Sequence, residues 1–271
     1  MIAGVRDGPA ATGGALVVEN LSLVYNSTRG DLQALHGLGM SVGEAEFVAV
    51  LGPSGCGKST LLNVISGLLP PSLGRVSIGG VPVTGPRPDV GIVFQQPTLL
   101  PWKNVRDNVL VPIRALGRPV REYERKVDEL LSLVGLQDFA RHYPFELSGG
   151  MQQRVGLARG LIHDPAVLLM DEPFAALDAM TRENMMMELQ SLWLQTRKSV
   201  VFITHSIPEA VFLADRVVVL SERPARAAAV LDIDIERPRM IETMATPAFA
   251  ERCNHLRRLF GGMARAQGKP D

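Results

Sequence analysis

The residues whose types and spacing point most directly to chemistry form one glycine-rich run. It reads Gly52-Pro53-Ser54-Gly55-Cys56-Gly57-Lys58-Ser59-Thr60. Glycines allow backbone N–H groups to converge on phosphate oxygens without a Cβ in the way, and a following helix adds partial positive charge. In such a loop Lys58 neutralises charge on the β- and γ-phosphates, and the Ser59 hydroxyl can ligate Mg²⁺. The run therefore predicts a site for the phosphates of a nucleotide, and we interpret Cys56 as a small residue tolerated within it.

The segments on either side of this run supply the context that a phosphate-binding loop needs. Phe47–Leu51 is a continuous apolar run that ends at Gly52, which is typical of a strand buried on both faces. Residues 60–66 can form a helix. The order of strand, glycine-rich loop and helix is the order that this P-loop pattern requires.

Two adjacent carboxylates, Asp171 and Glu172, follow another apolar run at residues 167–170. Neighbouring residues of a strand point in opposite directions, so one carboxylate can face a bound Mg²⁺ while the next faces an attacking water. Asp171 thus suits the metal and Glu172 suits a general base. A carboxylate pair at a strand end is by itself more often a solvated turn. In a chain that also carries a P-loop, the functional interpretation is favoured.

The composition describes a folded protein with no bias toward nucleic acid. The 271 residues include 28 Lys+Arg and 28 Asp+Glu, which leaves a formal net charge of zero, and 46% are hydrophobic. These values exclude a disordered chain and a strongly basic nucleic-acid binder. No apolar run approaches the roughly 20 residues that a membrane span needs. Because Cys56 and Cys253 show no disulfide or zinc spacing and no signal-peptide pattern is present, we expect a cytoplasmic protein with a flexible tail at residues 1–15.

The remaining hydrophobic pattern indicates an α/β protein. Apolar and polar residues alternate over residues 16–24, as in a half-buried strand, whereas short continuous apolar runs are typical of strands in a parallel sheet. Segments with helical spacing separate these runs, which lie at residues 90–94, 167–170, 200–203 and 217–220. Residues 105–144 contain no strand run and predict a helical insertion. Residues 227–235 predict one or two strands, and residues 247–260 a terminal helix.

The most specific segment is Leu147-Ser148-Gly149-Gly150-Met151-Gln152-Gln153-Arg154, which apolar residues at helical spacing follow. It resembles the signature motif of the ABC-transporter ATPase family. Other residues then match that family in order: Tyr25 matches the aromatic that stacks on adenine, Gln95 the Q-loop glutamine, Ala175-Ala176-Leu177-Asp178 the D-loop, and His205 the switch histidine. The resemblance extends over residues 16–220.

This resemblance implies a fold and an assembly. The expected fold is the α/β P-loop NTPase fold of an ABC ATPase, with a RecA-like core, an antiparallel β subdomain and a helical subdomain at about 97–160. The ATPase domain would span residues 16–240, and residues 241–271 would form a short C-terminal helical extension. Such domains work as head-to-tail homodimers in which ATP lies between the P-loop of one subunit and the signature motif of the other.

The resemblance also assigns roles to residues. The implied catalytic residues are Glu172, His205, Lys58 and Gln95, and the implied metal ligands are Ser59, Gln95 and Asp171. The implied ATP-binding residues are Tyr25, Gly52, Pro53, Ser54, Gly55, Cys56, Gly57, Lys58, Ser59, Thr60, Ser148, Gly149, Gly150 and Asp178. ATP and Mg²⁺ are the cofactors. Ala175 stands where many relatives have serine, which removes one hydroxyl from the D-loop.

Three further segments resemble the nitrate/sulfonate/taurine branch of importer ATPases, as does the short C-terminus. They cover residues 99–105, 205–210 and 213–217. The resemblance implies uptake of a small anion or organic solute through integral-membrane permease subunits, with an external solute-binding protein, at the cytoplasmic face of the bacterial inner membrane. Residues 97–102 form an apolar, proline-bounded loop, interpreted either as a groove for a permease helix or as a buried connection.

Three alternatives stay open at this point. One is an ABC ATPase of an export or lipoprotein-extraction system. Another is a soluble ABC ATPase that acts on DNA or ribosomes, although the zero net charge and the absence of a long coiled-coil insertion disfavour it. The third is a nucleotide-binding module without turnover, which the presence of both Glu172 and His205 disfavours.

Overall fold

The computed structural model describes residues 15–26 and 30–266, with side chains as far as residue 262. Apart from residue 15, the tail predicted at residues 1–15 lies outside the described residues. The strands are β1 (Leu16–Tyr25), β2 (Leu32–Val42), β3 (Phe47–Leu51), β4 (Leu73–Ile78), β5 (Val81–Pro82), β6 (Val90–Val93), β7 (Val167–Asp171), β8 (Ser199–Thr204), β9 (Arg216–Leu220) and β10 (Ala227–Asp232).

The helices complete the chain. They are α1 (Lys58–Ile65), α2 (Val105–Val109), α3 (Val111–Ala115), α4 (Glu124–Leu133), α5 (Gly149–Leu161), α6 (Ala179–Thr196), α7 (Ile207–Leu213) and α8 (Pro247–Ala266). In the described part of the chain, no helix combines the length and the apolar character that crossing a bilayer requires.

The predicted elements are found with small shifts of their ends. All six strands expected from apolar patterning are confirmed as β1, β3, β6, β7, β8 and β9, and the terminal helix is confirmed as α8. The helix expected at residues 60–66 begins earlier, at Lys58. Residues 227–235 form the single strand β10, which ends at Asp232.

The chain divides into two compact units. The first comprises the described residues up to Pro86 and from Ser199 onward, and the second comprises residues 87–198. Helices α2 to α6, which include the predicted helical insertion, belong to the second unit.

The first unit contains two different sheets. Strand β3 lies between β8 and β9 and is parallel to both, while β10 pairs antiparallel with β9. Every residue of β3 and β8 is buried, which explains why both read as continuous apolar runs. The second sheet has the antiparallel order β2-β1-β4-β5, and on β1 the alternation of buried and half-exposed residues fits one covered face. The predicted α/β class with an antiparallel β part is therefore confirmed.

The second unit is built around a pair of parallel strands. Strands β6 and β7 pair in register from Val90 with Val167 to Val93 with Met170. Helix α5 contacts β6, α2 and α4, and buries Val155, Ala158 and Leu161. The two strands thus end side by side, and the residues that follow them leave the sheet at the same edge.

Candidate nucleotide-binding site

The glycine-rich loop connects β3 to α1, and its conformation requires glycine at Gly57. Gly57 is the N-cap of α1 and has φ 126° and ψ 13°, which L side chains rarely adopt. A Cβ at this position would lie 3.1 Å from the Ala34 carbonyl oxygen and from Leu35 Cδ2. Among the described residues, no side chain caps this helix and its first turn holds no acidic residue. The loop therefore presents backbone N–H groups and a helix N-terminus, which is what the phosphates of a nucleotide need.

The Lys58 side chain is held against the backbone of the glycine-rich loop. Its side chain is buried, and Nζ donates hydrogen bonds to the carbonyl oxygens of Gly52 at 3.0 Å and Pro53 at 3.1 Å. Cys56 is also buried, which raises the pKa of its thiol. A Cβ on Gly52 would lie only 2.9 Å from Cys56 Sγ, so the small residues at both positions let the loop fold on itself.

One residue beside this loop was missed in the sequence. Arg223, which follows β9, donates a hydrogen bond from Nη2 to the Gly55 carbonyl oxygen. Backbone N–H groups that face a phosphate leave their carbonyls pointing away, and those carbonyls need donors of their own. Lys58 and Arg223 supply them. Because 168 residues separate Arg223 from Gly55, no local motif indicates the contact.

Tyr25 and His205 lie close to the loop in the same unit. The Tyr25 hydroxyl and Thr60 Oγ1 are 3.2 Å apart, and Tyr25 is 39% exposed at the end of β1. His205 is exposed directly after β8. Leu51 pairs with Thr204, so Gly52 and His205 leave adjacent parallel strands at the same edge of the sheet. The first unit thus brings together the predicted adenine, phosphate and switch residues.

His205, the predicted switch histidine, is followed by a buried hydrogen-bond network. Thr204 Oγ1 donates to Glu209 Oε2 at 2.6 Å and accepts from the Ser206 backbone N–H at 3.0 Å. Ser206 caps α7 by accepting from the Glu209 N–H at 3.4 Å. Thr204 and Glu209 were not among the predicted residues, because neither forms a motif by itself.

The second unit places the other predicted residues at the ends of its two strands. Asp171 is the last residue of β7, Glu172 follows it, and Gln95 comes two residues after β6. Both carboxylates are half-buried, whereas Gln95 is exposed. Glu172 has φ 41°, a left-handed conformation that costs energy for a residue with a side chain. Such strain often marks a side chain whose direction matters for function.

The segments on both sides of Gln95 are anchored to the helix that begins with the signature motif. Gln153 Nε2 donates to the Phe94 carbonyl oxygen at 3.3 Å. The Arg159 guanidinium donates to the carbonyl oxygens of Pro97 and Thr98, the latter at 3.0 Å, and its burial lowers its pKa. Both anchoring residues belong to α5, which joins the predicted Q-loop to the signature motif. No motif in the sequence points to Arg159.

The Asn108 side chain holds the loop at residues 97–102 through hydrogen bonds to its backbone. This side chain is fully buried, accepts from the Leu100 N–H at 2.7 Å, and donates to the carbonyls of Leu100, Lys103 and Asn104. Trp102 is 71% exposed. The loop is thus fixed along its inner side and presents an aromatic ring on its outer side.

The signature and D-loop residues both act as helix caps. Ser148 caps α5 by accepting from the Met151 N–H at 3.3 Å, and both Ser148 and Gly149 are exposed. Asp178 caps α6 by accepting from the Thr181 N–H at 3.0 Å. The hydrogen bonds from Thr181 hold the pKa of the Asp178 carboxyl below its usual value.

The predicted metal ligands have the chemistry that Mg²⁺ prefers. Ser59, Gln95 and Asp171 offer a hydroxyl, an amide and a carboxylate oxygen, all hard donors with a single negative charge among them. Mg²⁺ is commonly held by one or two carboxylates together with the phosphates of the nucleotide. The donor set fits such an ion.

Several large side chains outside the predicted site are packing residues. Trp193 is buried, and its Nε1 donates to the Lys198 carbonyl at 2.8 Å. Met185 and Met186 are buried on α6. His163 is buried with Nε2 3.1 Å from the Val90 carbonyl, and burial lowers its pKa.

A phosphate-binding loop between a buried parallel strand and a helix, with carboxylates at the end of another parallel strand, defines a P-loop nucleotide-binding protein. The family model described as ABC transporter matches residues 35–175. The chain belongs to this family, and it is an ATPase of the kind that powers transport.

Several relatives are similar over most of their length. A taurine import ATP-binding protein, TauB, of Rhizobium johnstonii is 49% identical over 249 residues, which cover 89% of this chain and 95% of that protein. An uncharacterized ABC transporter ATP-binding protein of Methanocaldococcus jannaschii is 49% identical over 224 residues, 83% of this chain and 84% of that protein.

Solved structures show the same fold. A dimeric ATP-binding cassette in a post-hydrolysis state with ADP and Pi matches with a TM-score of 0.71 and 32% identity, over 82% of this chain and all of that one. The cbiO1 protein of Clostridium perfringens, part of the ABC transporter complex cbiONQ, matches with a TM-score of 0.73 and 28% identity, over 93% of this chain and 99% of that one.

Proposed function

We propose that this chain is the ATP-hydrolysing subunit of an importer that takes up a small anion or organic solute of the nitrate, sulfonate or taurine type. The observation that carries the proposal is the similarity to the taurine import protein TauB, which extends over 89% of this chain. The TauB of Burkholderia thailandensis is also 51% identical over 224 residues. The resemblance of three loop segments to the nitrate/sulfonate/taurine branch supports the same assignment.

In this proposal the first unit binds the nucleotide. Tyr25 stacks on adenine beside Thr60, and the N–H groups of the loop from Gly52 to Thr60 surround the phosphates. The Lys58 ammonium, already buried within the loop, turns to the β- and γ-phosphates and neutralises their charge. His205 lies at the same edge of the sheet and stabilises charge on the transferring phosphoryl group.

The second unit supplies the hydrolytic residues. Glu172 orients the attacking water and accepts its proton, and the surrounding structure holds its backbone at φ 41° so that the carboxylate keeps one direction. Ser59, Asp171 and Gln95 would hold Mg²⁺, which when bound offsets negative charge on the phosphates. Phe94 before Gln95 and Thr98 after it are both anchored to α5, so the position of Gln95 depends on that helix.

We further propose that the chain works as a homodimer. Ser148 and Gly149 are exposed at the N-terminus of the 13-residue helix α5, which favours binding of an anion. In the head-to-tail arrangement this terminus would contact the γ-phosphate bound by the partner's P-loop. The dimeric cassette that this chain resembles supports that arrangement.

The permease would dock on the second unit. A cavity of about 380 Å³ there is lined mainly by apolar side chains, among them Phe94, Val111, Pro112 and Leu116, and its wall also includes Thr98, Arg87, Arg159 and His163. The neighbouring loop at residues 97–102 exposes Trp102. An apolar helix on a cytoplasmic loop of the permease suits this surface, and an external solute-binding protein would deliver the solute on the opposite side of the membrane.

Turnover is the first test of the catalytic assignment. Glu172→Gln keeps the size of the side chain and removes its charge, and a general base contributes about 10²–10⁴-fold to rate. We expect phosphate release to fall by that factor while ATP affinity, measured by titration calorimetry, stays close to wild type. Glu251→Gln, an exposed change on α8, is the matched control and should leave turnover intact. Near-normal turnover of Glu172→Gln would show that another group is the base.

The importer assignment is tested by identifying the partner. Tagged Glu172→Gln protein with ATP and Mg²⁺ would be used to capture partners from detergent-solubilised native membranes, with the same protein lacking nucleotide as control. We expect a multi-span permease encoded beside a solute-binding protein, and that binding protein should bind taurine or another sulfonate in a titration. Capture of an exporter, or only of ribosomes or nucleic acid, would contradict the importer proposal and leave the ATPase assignment in place.

A further inference from the structure

Arg239 is an unusual residue for a protein interior. It has the largest of the fully buried side chains in the described residues, with 1% of its surface exposed. Burying a cation is costly unless hydrogen bonds replace its water. It lies outside residues 35–175, and the resemblance that assigned the nucleotide site gives it no role.

Backbone carbonyl oxygens take the place of the water that would hydrate the Arg239 guanidinium at a surface. Nη1 donates to Val211, Phe212 and Ala214 at 2.8, 3.0 and 2.8 Å. Nε and Nη2 donate to Ile235 at 3.0 and 2.8 Å, and Nη2 reaches Ile233 at 3.4 Å. Burial lowers the pKa of this guanidinium to about 10, so it remains a cation at neutral pH.

The first three of these carbonyls belong to the C-terminal end of α7. The last carbonyls of a helix have no partner within the helix, and the helix dipole places negative charge there. A buried arginine that bonds to all three satisfies both requirements. Arg237 adds a second anchor, since its guanidinium donates to the Leu213 carbonyl and pairs with Asp215.

The opposite end of α7 begins immediately after the switch histidine. Ser206 is the N-cap of α7, and Thr204 and Glu209 hold this end through a buried hydrogen bond of 2.6 Å. A helix of seven residues is about 10 Å long. With both ends fixed, the position of α7 sets the position of His205.

We propose that Arg239 is a positioning residue for ATP hydrolysis: by capping the C-terminal end of α7 it holds the helix, and through the helix it holds His205. The inference rests on the role proposed for His205 and adds a part of the chain beyond β10 to the machinery of the site. It predicts that loss of Arg239 impairs turnover more than nucleotide binding.

The test measures kcat and KM for ATP on the full chain. Arg239→Met keeps the length of the side chain but leaves the α7 carbonyls without donors. Displacement of a catalytic group by about 1 Å can cost up to about 10²-fold in rate, so we expect kcat to fall about 10–100-fold while KM changes less than about twofold. Arg239→Lys, which keeps the charge and some of the bonds, should restore part of kcat.

Two further variants separate positioning from general stability. Arg252→Met removes a surface ion pair with Asp234 in the same C-terminal part of the chain, and should leave kcat unchanged. In the double variant with His205→Ala, the loss should be no greater than for His205→Ala alone, because both changes disable one group.

The outcomes distinguish this inference from the site assignment. Normal kcat in Arg239→Met, or losses that multiply in the double variant, would overturn the inference alone. Normal turnover of His205→Ala would overturn the role of His205 and this inference with it. Where Arg239→Met does not fold, the same comparison is made with Arg239→Lys, and a lower melting temperature at unchanged kcat would show that Arg239 only stabilises the fold.

Discussion

Replacement of Gly57 by alanine tests whether the phosphate-binding loop is fixed before the nucleotide arrives. At φ 126° an alanine is strained by its own backbone, and its Cβ would lie 3.1 Å from the Ala34 oxygen and Leu35 Cδ2. Neither the Ala34 oxygen nor the Leu35 side chain can move away from the added Cβ without cost. Ala34 O already accepts the Ala225 N–H at 2.9 Å, and Leu35 is fully buried.

The cost follows from these two terms. An unfavourable φ/ψ region costs about 1–3 kcal/mol, and overpacking against fixed neighbours costs at least about 1 kcal/mol. We therefore expect Gly57→Ala to lose about 2–4 kcal/mol of stability, which in a chain of this size lowers the melting temperature by roughly 5–15 °C.

Thermal unfolding with and without ATP and Mg²⁺ measures both consequences. Ligand at 100 times its Kd stabilises the wild type by about 2.7 kcal/mol, and this increment should largely disappear in Gly57→Ala. Gly79→Ala is the matched control: its φ is 56°, and nothing lies within 4 Å of the added Cβ. It should cost only about 1–2 kcal/mol and keep the ATP increment.

Two results would refute this reasoning. If Gly57→Ala melted no lower than Gly79→Ala, the close approach to Ala34 and Leu35 would not constrain the loop. If it melted lower but kept the full ATP increment, the conformation at Gly57 would not matter for the phosphates.

Two other predictions concern residues that the structure adds to the site and its surroundings. Arg223→Gln removes the donor to the Gly55 carbonyl. Because a hydrogen bond contributes about 1 kcal/mol, the Kd for ATP, measured by titration calorimetry, should rise about fivefold. The exposed change Arg226→Gln is the control and should leave this Kd unchanged. Equal affinities of the two variants would count against a role for Arg223. Burial lowers the pKa of His163, so below about pH 6.5 the unfolded chain takes up a proton that the folded chain resists, and stability should fall as the pH falls. His163→Gln should flatten the urea-unfolding profile between about pH 7 and 5; an unchanged slope would contradict this cause.

Much of the fold was predictable because the buried strands are short and apolar throughout. Runs such as Phe47–Leu51 are buried on both faces, and such strands show no alternation that could be mistaken for a surface strand. The ends of elements were less certain. The helix after the loop begins at Lys58 because Gly57 forms its cap, and no sequence rule set that start.

The P-loop, the carboxylate pair and the signature segment could be predicted for a different reason. Each lies within nine consecutive residues or fewer, so the residue types that indicate its chemistry are close together in the sequence. The roles assigned to these residues remain predictions, since they follow from motifs and resemblance. The conformations that such roles require, at Gly57 and Ser148 for example, are present in the structure.

The supporting residues depend on tertiary structure. Arg223 contacts the loop across 168 positions, and Arg159 anchors Pro97 across 62. Residues 233–235 do not continue β10, and two of their carbonyls bind Arg239. Thus the sequence by itself was enough to predict which residues meet the nucleotide, because their pattern is local. Only the tertiary structure decided what holds them in place, because a hydrogen bond to a backbone carbonyl can come from any donor that folding brings near and leaves no pattern in the sequence.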